Sequence, residues 1–288
     1  MVSPSPPERE PLLPPGACDC HVHVIGPPER YPMVADRHYT PGPAPLPALQ
    51  AHMTALGLER AVIVQPSVYG NDNRCLLDSL DQLQGRGRGV AVPPDDVSSR
   101  ELRDMHARGV RGVRINLESA GTRAADAAAA PAQRWAARVA DLGWHLQLYA
   151  SAPVLQALSE HLVRLPAPVV LDHFALVDGV PGASATAFCV DLLRTGRVSV
   201  KLSAPYRLAV PDAARAWADA FLDAAPERVL WGSDWPHTAR QPGLGPLEVS
   251  PYRFIRSEEL ATSCRAWLAT PERRRRVLVD TPKMLYGF

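Results

Sequence analysis

The chain has 288 residues, 46% of them hydrophobic, and its 31 basic and 30 acidic residues leave a formal charge of +1. This length fits one large α/β barrel domain or two ordinary domains, and the near-neutral charge argues against a nucleic-acid or anionic-membrane partner. Five scattered cysteines predict free thiols in a reducing, cytoplasmic compartment, and no apolar run is long enough to predict a transmembrane helix.

Residues 1–15 are expected to form a flexible extension outside the fold. The segment 3–15 holds six prolines, and a proline-rich, polar stretch buries too little apolar surface to fold. The remainder, residues 16–288, is predicted to form a single domain.

The first predicted strand carries Asp19, His21 and His23 at alternate positions. Alternate side chains of a strand share a face, so these three are expected to point together. Cys18 and Cys20 would then occupy the helix-facing side. The two imidazoles could converge on one metal ion or on one polarised substrate oxygen.

Eight short β-rich runs recur along the chain, and helical patterns follow them. The β-rich runs cover 17–24, 60–65, 87–92, 110–116, 144–149, 168–173, 197–203 and 228–234. The helical stretches cover 47–56, 71–84, 98–108, 131–142, 153–165, 184–195, 211–225, 257–268 and 271–279. This alternation predicts a (β/α)8 TIM barrel of the α/β class. A doubly wound open sheet is the alternative, but it would need a glycine-rich phosphate loop where the chain has Ile25-Gly26-Pro27-Pro28.

Polar residues cluster at the C-terminal ends of the predicted strands, where TIM-barrel active sites gather. They are His21, His23, Ser67, Arg114, Asn116, Tyr149, His173, Lys201, Ser203, Arg207, Asp234 and His237. The sequence therefore predicts one active site at this end of the barrel.

Three histidines and one carboxylate in this cluster suit a hydrolytic site. Asp234 is the predicted general base for water, with a cap on the following turn as its structural alternative. His21, His23 and His173 can polarise a carbonyl and stabilise an oxyanion, or hold a divalent ion for the same purpose. Asp172 is expected to point to the opposite side of its strand from His173.

Arg114, Arg207 and Tyr149 indicate the charge of the substrate. An arginine at a strand end in a pocket suits a planar carboxylate, so we expect a small anionic substrate; the alternative is that each arginine pairs with a protein acid. Lys201 also faces inward but lies deeper, where a structural ion pair is as good an explanation as a site role.

Several motifs occur together and in order along the chain. They are His21-Val-His23, Val64-Gln-Pro-Ser-Val-Tyr-Gly-Asn-Asp-Asn73, Gly109-Val-Arg-Gly-Val-Arg-Ile-Asn116, Asp172-His173-Phe174, Lys201-Leu-Ser203, Tyr206-Arg207, Gly232-Ser-Asp-Trp-Pro-His237 and Leu285-Tyr-Gly-Phe288. In combination they resemble the amidohydrolase-related TIM-barrel proteins, and within that superfamily most closely the 2-pyrone-4,6-dicarboxylate lactonases and related lactonases.

The resemblance implies a hydrolase that opens the ring of a small carboxylated lactone. Asp234 would activate the water, and the three histidines would polarise the lactone carbonyl. The family positions that contact substrate correspond to Arg114, Arg207, Tyr149, Ser67 and Tyr39. Pyrone-dicarboxylate, muconolactone-like and sugar-acid lactones are all open as substrates, because the loop 117–123 has an acid and only a late arginine where pyrone lactonases carry further basic residues.

The lactonase branch is further implied to work without a cofactor. The alternative is a single divalent ion, such as zinc, held by His21, His23, His173 and Asp234. A dinuclear metal centre is not expected. Strand four ends with Arg114 and Asn116, and an arginine side chain cannot lose a proton to become a metal ligand. Two other functions stay open: a zinc-dependent decarboxylase of the same superfamily and a non-catalytic binding barrel. A monomer or a homodimer is expected.

Overall fold

Eight parallel strands form a barrel in the computed structural model, which describes residues 12–118, 126–182 and 186–288. The strands are β1 Cys18–Val22, β2 Arg60–Val64, β3 Gly87–Ala91, β4 Val110–Asn116, β5 His145–Tyr149, β6 Val169–Leu171, β7 Val198–Leu202 and β8 Val229–Trp231. Each strand pairs in parallel with the next along the chain, and Val22 forms a parallel bridge with Trp235 just after β8. The first and last strands therefore meet, which confirms the predicted (β/α)8 barrel.

Helices connect the strands and follow the last one. They are α1 Leu46–Leu56, α2 Arg74–Leu83, α3 Ser99–Ala107, α4 Asp126–Val139, α5 Ala152–Arg164, α6 Ala187–Arg194, α7 Ala214–Ala224, α8 Ser257–Trp267, α9 Pro271–Arg275 and α10 Thr281–Tyr286. The helix predicted over 184–195 is α6, and positions 184–185 lie outside the described residues. Among the described residues, none of the helices combines the length and apolar character needed to cross a bilayer.

The C-terminal helical region differs from its prediction. A single helix was expected over 271–279, but α9 passes through a π-helical turn, Arg276–Asp280, into α10. Pro282 is the second residue of α10, and its missing N–H interrupts the regular hydrogen-bond ladder at this point. The extra helix carries Tyr286 to the barrel floor.

The N-terminal boundary also differs in detail. Residues 1–11 lie outside the described part of the chain. Leu13, by contrast, is only 2% exposed, and the N–H of Ala17 donates to the carbonyl of Pro14. Packed structure therefore begins a few residues before the predicted domain start at 16.

The barrel interior holds a small apolar core of its own. It consists of Cys18, Cys20, Val62, Val64, Val90, Val170, Leu230 and Tyr286. Tyr286 reaches this cluster from α10 and is fully buried, so the last helix closes the barrel opposite to the strands' C-terminal ends. The larger core lies between the strands and the surrounding helices.

A bulge in β1 overturns the predicted face of that strand. The register against β2 shifts between Asp19 and Val22, and one extra residue breaks the alternation of side chains. Asp19 consequently points out towards α1, where its Oδ2 lies 3.6 Å from His52 Nε2. The prediction that Asp19 shares a face with His21 and His23 is wrong, as is the helix-facing position predicted for Cys18 and Cys20.

Two short strands, which we call the ribbon, were not predicted. Thr40–Pro41 pairs in parallel with Val249–Ser250. The ribbon ties the loop after β1 to the loop after β8, and Thr40 Oγ1 adds a hydrogen bond to the Pro246 carbonyl of 2.8 Å. A strand of two residues is too short to produce a recognisable alternation in the sequence.

Candidate active site

A cavity of about 250 Å³ opens at the C-terminal ends of the barrel strands. Eight of the nine predicted site residues line it: His23, Tyr39, Ser67, Arg114, Tyr149, His173, Arg207 and Asp234. The ninth, His21, lies just beneath, with its ring centroid 5.0 Å from that of His23 and 4.6 Å from that of His173. The structure thus brings the predicted residues together, while their individual roles stay predictions.

Two of these residues have an unusual backbone conformation. His173 (φ 53°) and Asp234 (φ 61°) both adopt left-handed dihedrals, and Phe174, Ala175 and Leu176 continue the left-handed turn after His173. Each such residue costs about 1–2 kcal/mol, and strain of this kind concentrates at functional sites. Burial of Phe174 against the Trp267 ring, with centroids 5.3 Å apart, helps to hold the turn.

The three histidines surround one oxygen of Asp234. Its Oδ1 lies 3.6 Å from His21 Nε2, 3.6 Å from His23 Nε2 and 3.9 Å from His173 Nε2. All four side chains are almost completely buried. Within the described part of the chain, Asp234 Oδ1 and His21 Nε2 have no hydrogen-bond partner, so both atoms are available to a water, a substrate or an ion.

The other oxygen of Asp234 is fully engaged. Oδ2 accepts hydrogen bonds from Tyr206 Oη at 2.7 Å, from Arg207 Nη2 at 2.8 Å and from Arg207 Nε at 3.2 Å. Burial alone would raise the pKa of Asp234, but the Arg207 guanidinium and the neighbouring histidines hold it well below its usual value. Asp234 is therefore ionised at neutral pH.

His21 and His173 are neutral, and one ring proton of His23 can be assigned from its contact. His23 Nδ1 lies 2.8 Å from the Val64 carbonyl, which can only accept, so Nδ1 carries a proton, and in the neutral ring Nε2 presents a lone pair to Asp234. Burial lowers the pKa of His21 to about 4 and that of His173 well below its usual value. A lone pair and a carboxylate oxygen 3.6 Å apart repel unless a cation or a hydrogen-donating water lies between them.

The donor set fits one divalent cation. His21, His23 and Asp234 bring three ligand atoms within 4.8 Å of one another, and His21, Asp172 and His173 form a second such group. Two ligand atoms on one tetrahedral zinc lie roughly 3.4 Å apart, close to the 3.6 Å separating Asp234 Oδ1 from either histidine nitrogen. The expectation that no cofactor is needed finds no support in this arrangement.

The predicted substrate arginines have different surroundings. Arg207 is paired with Asp234, so part of its binding capacity is already used. Arg114 donates to the Gln65 carbonyl at 3.0 Å, and its Nη2 lies 3.9 Å from Asp172 Oδ2. The Tyr149 ring lies near both guanidinium groups, 5.7 Å from that of Arg114 and 6.0 Å from that of Arg207.

Comparison with known proteins decides the family. A family model described as amidohydrolase matches residues 18–288. The chain belongs to the amidohydrolase family. The resemblance predicted from the motifs is thereby confirmed, and the motif residues lie in the matched region.

The relatives of this amidohydrolase include named lactone hydrolases. It is 35% identical to a 2-pyrone-4,6-dicarboxylate hydrolase from Comamonas testosteroni, over 99% of this chain and 94% of the relative. It is 33% identical to a 4-sulfomuconolactone hydrolase from Hydrogenophaga intermedia, over 96% and 90%. A solved structure of a proposed 2-pyrone-4,6-dicarboxylic acid hydrolase from Pseudomonas putida superposes with a TM-score of 0.78 at 31% identity, over 96% and 98%.

One acid of this amidohydrolase site was misplaced by sequence reasoning. Asp172 was expected to point away, but its Oδ1 lies 3.2 Å from His21 Nδ1 and 3.3 Å from Lys201 Nζ. Alternation along β6 puts Val170 inside the barrel, Leu171 outside and Asp172 inside again. The left-handed backbone at His173 then turns the next side chain to the same side, which simple alternation does not foresee.

Below the cavity, Lys201 completes a buried polar network. Its Nζ donates to Gln147 Oε1 at 2.6 Å and lies 3.3 Å from His21 Nδ1, while Gln147 Nε2 donates to Asp172 Oδ2 at 3.0 Å. Burial lowers the pKa of Lys201, opposed by the charge of Asp172. The structure agrees with the deep ion pair considered for Lys201. Gln147 was not among the predicted site residues. It lies two positions before Tyr149, and the alternation of side chains along a strand puts both on the same face.

Proposed function

We propose that this amidohydrolase hydrolyses the ring ester of a small anionic lactone. The observation that carries the proposal is a cavity in which an ionised Asp234, with one oxygen free, faces the three histidines beside an arginine-lined wall. The named activities of the relatives support the same reaction class. Water adds to the lactone carbonyl carbon and the ring C–O bond breaks. One proton of the water passes through Asp234 to the former ring oxygen, and the other is released to solvent from the new carboxylic acid.

In this reaction Asp234 Oδ1 receives the hydrogen bond, and then the proton, of the attacking water. Tyr206 and Arg207 fix the carboxylate by its other oxygen, so Oδ1 is the oxygen left to accept from the water. The same contacts keep the pKa of Asp234 low, which makes it a weak base. The water must therefore become more acidic as it attacks, through the polarised carbonyl carbon or a nearby positive charge.

A divalent cation is the proposed source of that positive charge. His21, His23 and Asp234 would hold it, with His173 at its edge, and it would supply Lewis-acid polarisation at the lactone carbonyl. His23 is prepared for this role because the Val64 carbonyl keeps its proton on Nδ1. The chain's own contribution is to orient these donors and to keep the arginines on the substrate's anionic side.

The test is a panel of pyrone-dicarboxylate, muconolactone-like and sugar-acid lactones, assayed for ring opening by acid release. Asp234→Asn is expected to lose on the order of 10²-fold or more in kcat while remaining folded, because an amide cannot take the proton. Asp141→Asn, an exposed position far along the α4–β5 connection, is the matched control. The proposal would be contradicted if the wild type opens no lactone, or if Asp234→Asn keeps the full kcat.

A zinc-dependent decarboxylase would use the same donors and is the second candidate. The donor set fits a metal ion, which is the observation that favours a decarboxylase. The products distinguish the two reactions, since decarboxylation releases CO2 and lactone hydrolysis does not. Metal analysis and dialysis against a chelator complete the comparison. Loss of a stoichiometric ion together with ring-opening activity supports the cation-assisted lactonase, whereas unchanged activity supports the metal-free version.

We further propose that the enzyme works in a reducing, cytoplasmic environment, as a monomer or a homodimer. All five cysteines are buried and free in the fold, and none is placed for a disulfide framework. Gel filtration with light scattering tests the oligomeric state, and a species larger than a dimer would contradict it.

A further inference from the structure

The cavity wall contains two basic side chains that the predicted site does not include, His38 and Arg240. His38 lies on the loop after β1, next to Tyr39, and Arg240 lies on the loop after β8. Both side chains are exposed. Unlike the paired Arg207, Arg240 has no carboxylate within 4 Å in the ranges that the structure describes. Exposed arginines are common on any surface, but this one lines the same cavity as Asp234.

The backbone beneath these two side chains is anchored on both loops. The Thr238 carbonyl accepts a hydrogen bond from Arg207 Nη2 at 3.4 Å, and the N–H of Gln241 donates to Ser250 Oγ at 3.0 Å. Arg240 therefore lies between two fixed residues. The ribbon pairs Thr40 with Val249 and so fixes the His38 loop to the same frame. Binding here would cost little ordering of the backbone.

Arg240 and Arg114 approach the cavity from opposite sides. Arg114 is on β4 and Arg240 follows β8, and these strands are four apart in a ring of eight. The charge of Arg207 is already matched by Asp234 at 2.8 Å. Arg114 lies farther from its nearest acid, 3.9 Å from Asp172 Oδ2, so Arg114 and Arg240 are the less engaged arginines of the cavity wall.

We propose that Arg240 and His38 form a second anion subsite at the rim of the cavity, distinct from Arg114, and that these two side chains set the preference for a doubly charged ring acid over a singly charged one. The proposal rests on the proposed lactone hydrolysis. A guanidinium binds carboxylate and sulfonate alike through paired N–H groups, so either oxyanion fits.

The experiment measures binding of three planar ring acids by calorimetry: benzoate, isophthalate and 3-sulfobenzoate. Wild type is expected to bind the two dianions more tightly than benzoate, and the tighter of the two identifies the oxyanion. Arg240→Gln should lose about tenfold of that preference, the value of a charge-assisted hydrogen bond at a partly exposed position. His38→Gln should lose less in the same direction. Arg265→Gln, exposed on α8 outside the cavity, is the matched charge control.

The two proposals fail in different ways. If Arg240→Gln keeps the wild-type preference for dianions, or if the wild type shows no such preference, the subsite is overturned even when lactones are hydrolysed. If dianion preference depends on Arg240 but no lactone is opened, the subsite stands and the proposed reaction is overturned. Thermal unfolding of each variant, expected to match wild type at these exposed positions, separates loss of binding from loss of fold.

Discussion

Tyr206 and Arg207 leave Asp234 with only one working oxygen. Both residues donate to Oδ2, and the three histidine nitrogens converge on Oδ1. Arg207, which was predicted to bind the substrate, therefore also holds the Asp234 carboxylate in place and keeps it ionised. A substitution at Arg207 or Tyr206 should therefore change the pKa of Asp234.

Arg207→Met should shift the pH dependence of kcat/KM. The wild-type pKa of Asp234 lies well below its usual value with Arg207 beside it, so removing the guanidinium raises that pKa. The reaction needs ionised Asp234, and the acid limb of the profile should consequently move to higher pH. Tyr206→Phe should move it in the same direction by less. An acid limb at the wild-type position in both variants would contradict this electrostatic role.

The buried network under the site should be sensitive to the loss of one partner. Lys201→Met removes the cation beside Asp172 and leaves a buried carboxylate with less compensation, so the free energy of unfolding should fall by about 3–5 kcal/mol. Adding Asp172→Asn should recover part of the loss, because the two effects are coupled. Urea titrations of both single variants and the double variant measure the coupling, and strict additivity would refute it.

At the scale of elements, the closing contact between β1 and the end of β8 sets the position of His21. The N–H of Asp234 donates to the His21 carbonyl at 3.0 Å, and the N–H of His23 donates to the Trp235 carbonyl at 2.8 Å. Gly232 makes this approach possible, since a Cβ there would lie 2.9 Å from the backbone nitrogen of His21 and 2.7 Å from its Cβ.

Gly232→Ala should therefore displace β1 and lower activity more than it lowers stability. A shift of about 1 Å in a reacting group costs on the order of 10²-fold in rate, while overpacking of this kind costs about 1–3 kcal/mol. Gly42→Ala is the control, because its added Cβ meets nothing closer than 3.8 Å. Comparing kcat with the denaturation midpoint tests the prediction, and an unchanged kcat in Gly232→Ala would show that the approach tolerates a methyl group.

The same elements show where sequence reasoning succeeds and where it stops. Eight strands and the polar residues at their ends follow from local patterns of hydrophobicity, so the barrel could be foreseen, and eight of the nine predicted site residues line the cavity. Asp19 could not be placed, because a bulge depends on pairing with β2. The direction of the Asp172 side chain was predicted wrongly because the left-handed turn at His173 contains no glycine, the residue that would indicate such a turn in the sequence. Arg240 gave no signal at all, since loop residues acquire their position from long-range contacts such as the ribbon.

At the scale of the whole molecule, α10 closes the floor of the barrel with Tyr286. The ring is fully buried in the interior core, 5.3 Å from the His145 ring, and Arg88 binds the last turn through the carbonyls of Tyr286 and Gly287 at 3.1 and 2.6 Å. The chain thus secures its last residues against strands formed early in the sequence.

Tyr286→Ala and Tyr286→Phe should have opposite consequences. The first leaves a cavity in the floor and should lower the free energy of unfolding by about 3–5 kcal/mol. The second removes a buried hydroxyl that has no hydrogen-bond partner among the described residues, and should be neutral or stabilising by about 1 kcal/mol. Chemical denaturation of both variants gives the comparison, and a large loss in Tyr286→Phe would reveal a partner for the hydroxyl.

The ribbon has a consequence for altering specificity by design. In most barrels each loop at the active-site end can be exchanged alone, because it is anchored only to its own strand and helix. Here the first and last loops share hydrogen bonds across more than 200 residues of sequence. A graft of one loop would meet a mismatched neighbour, so new substrate preferences at this wall should be sought by transplanting 37–43 and 238–252 together as one unit.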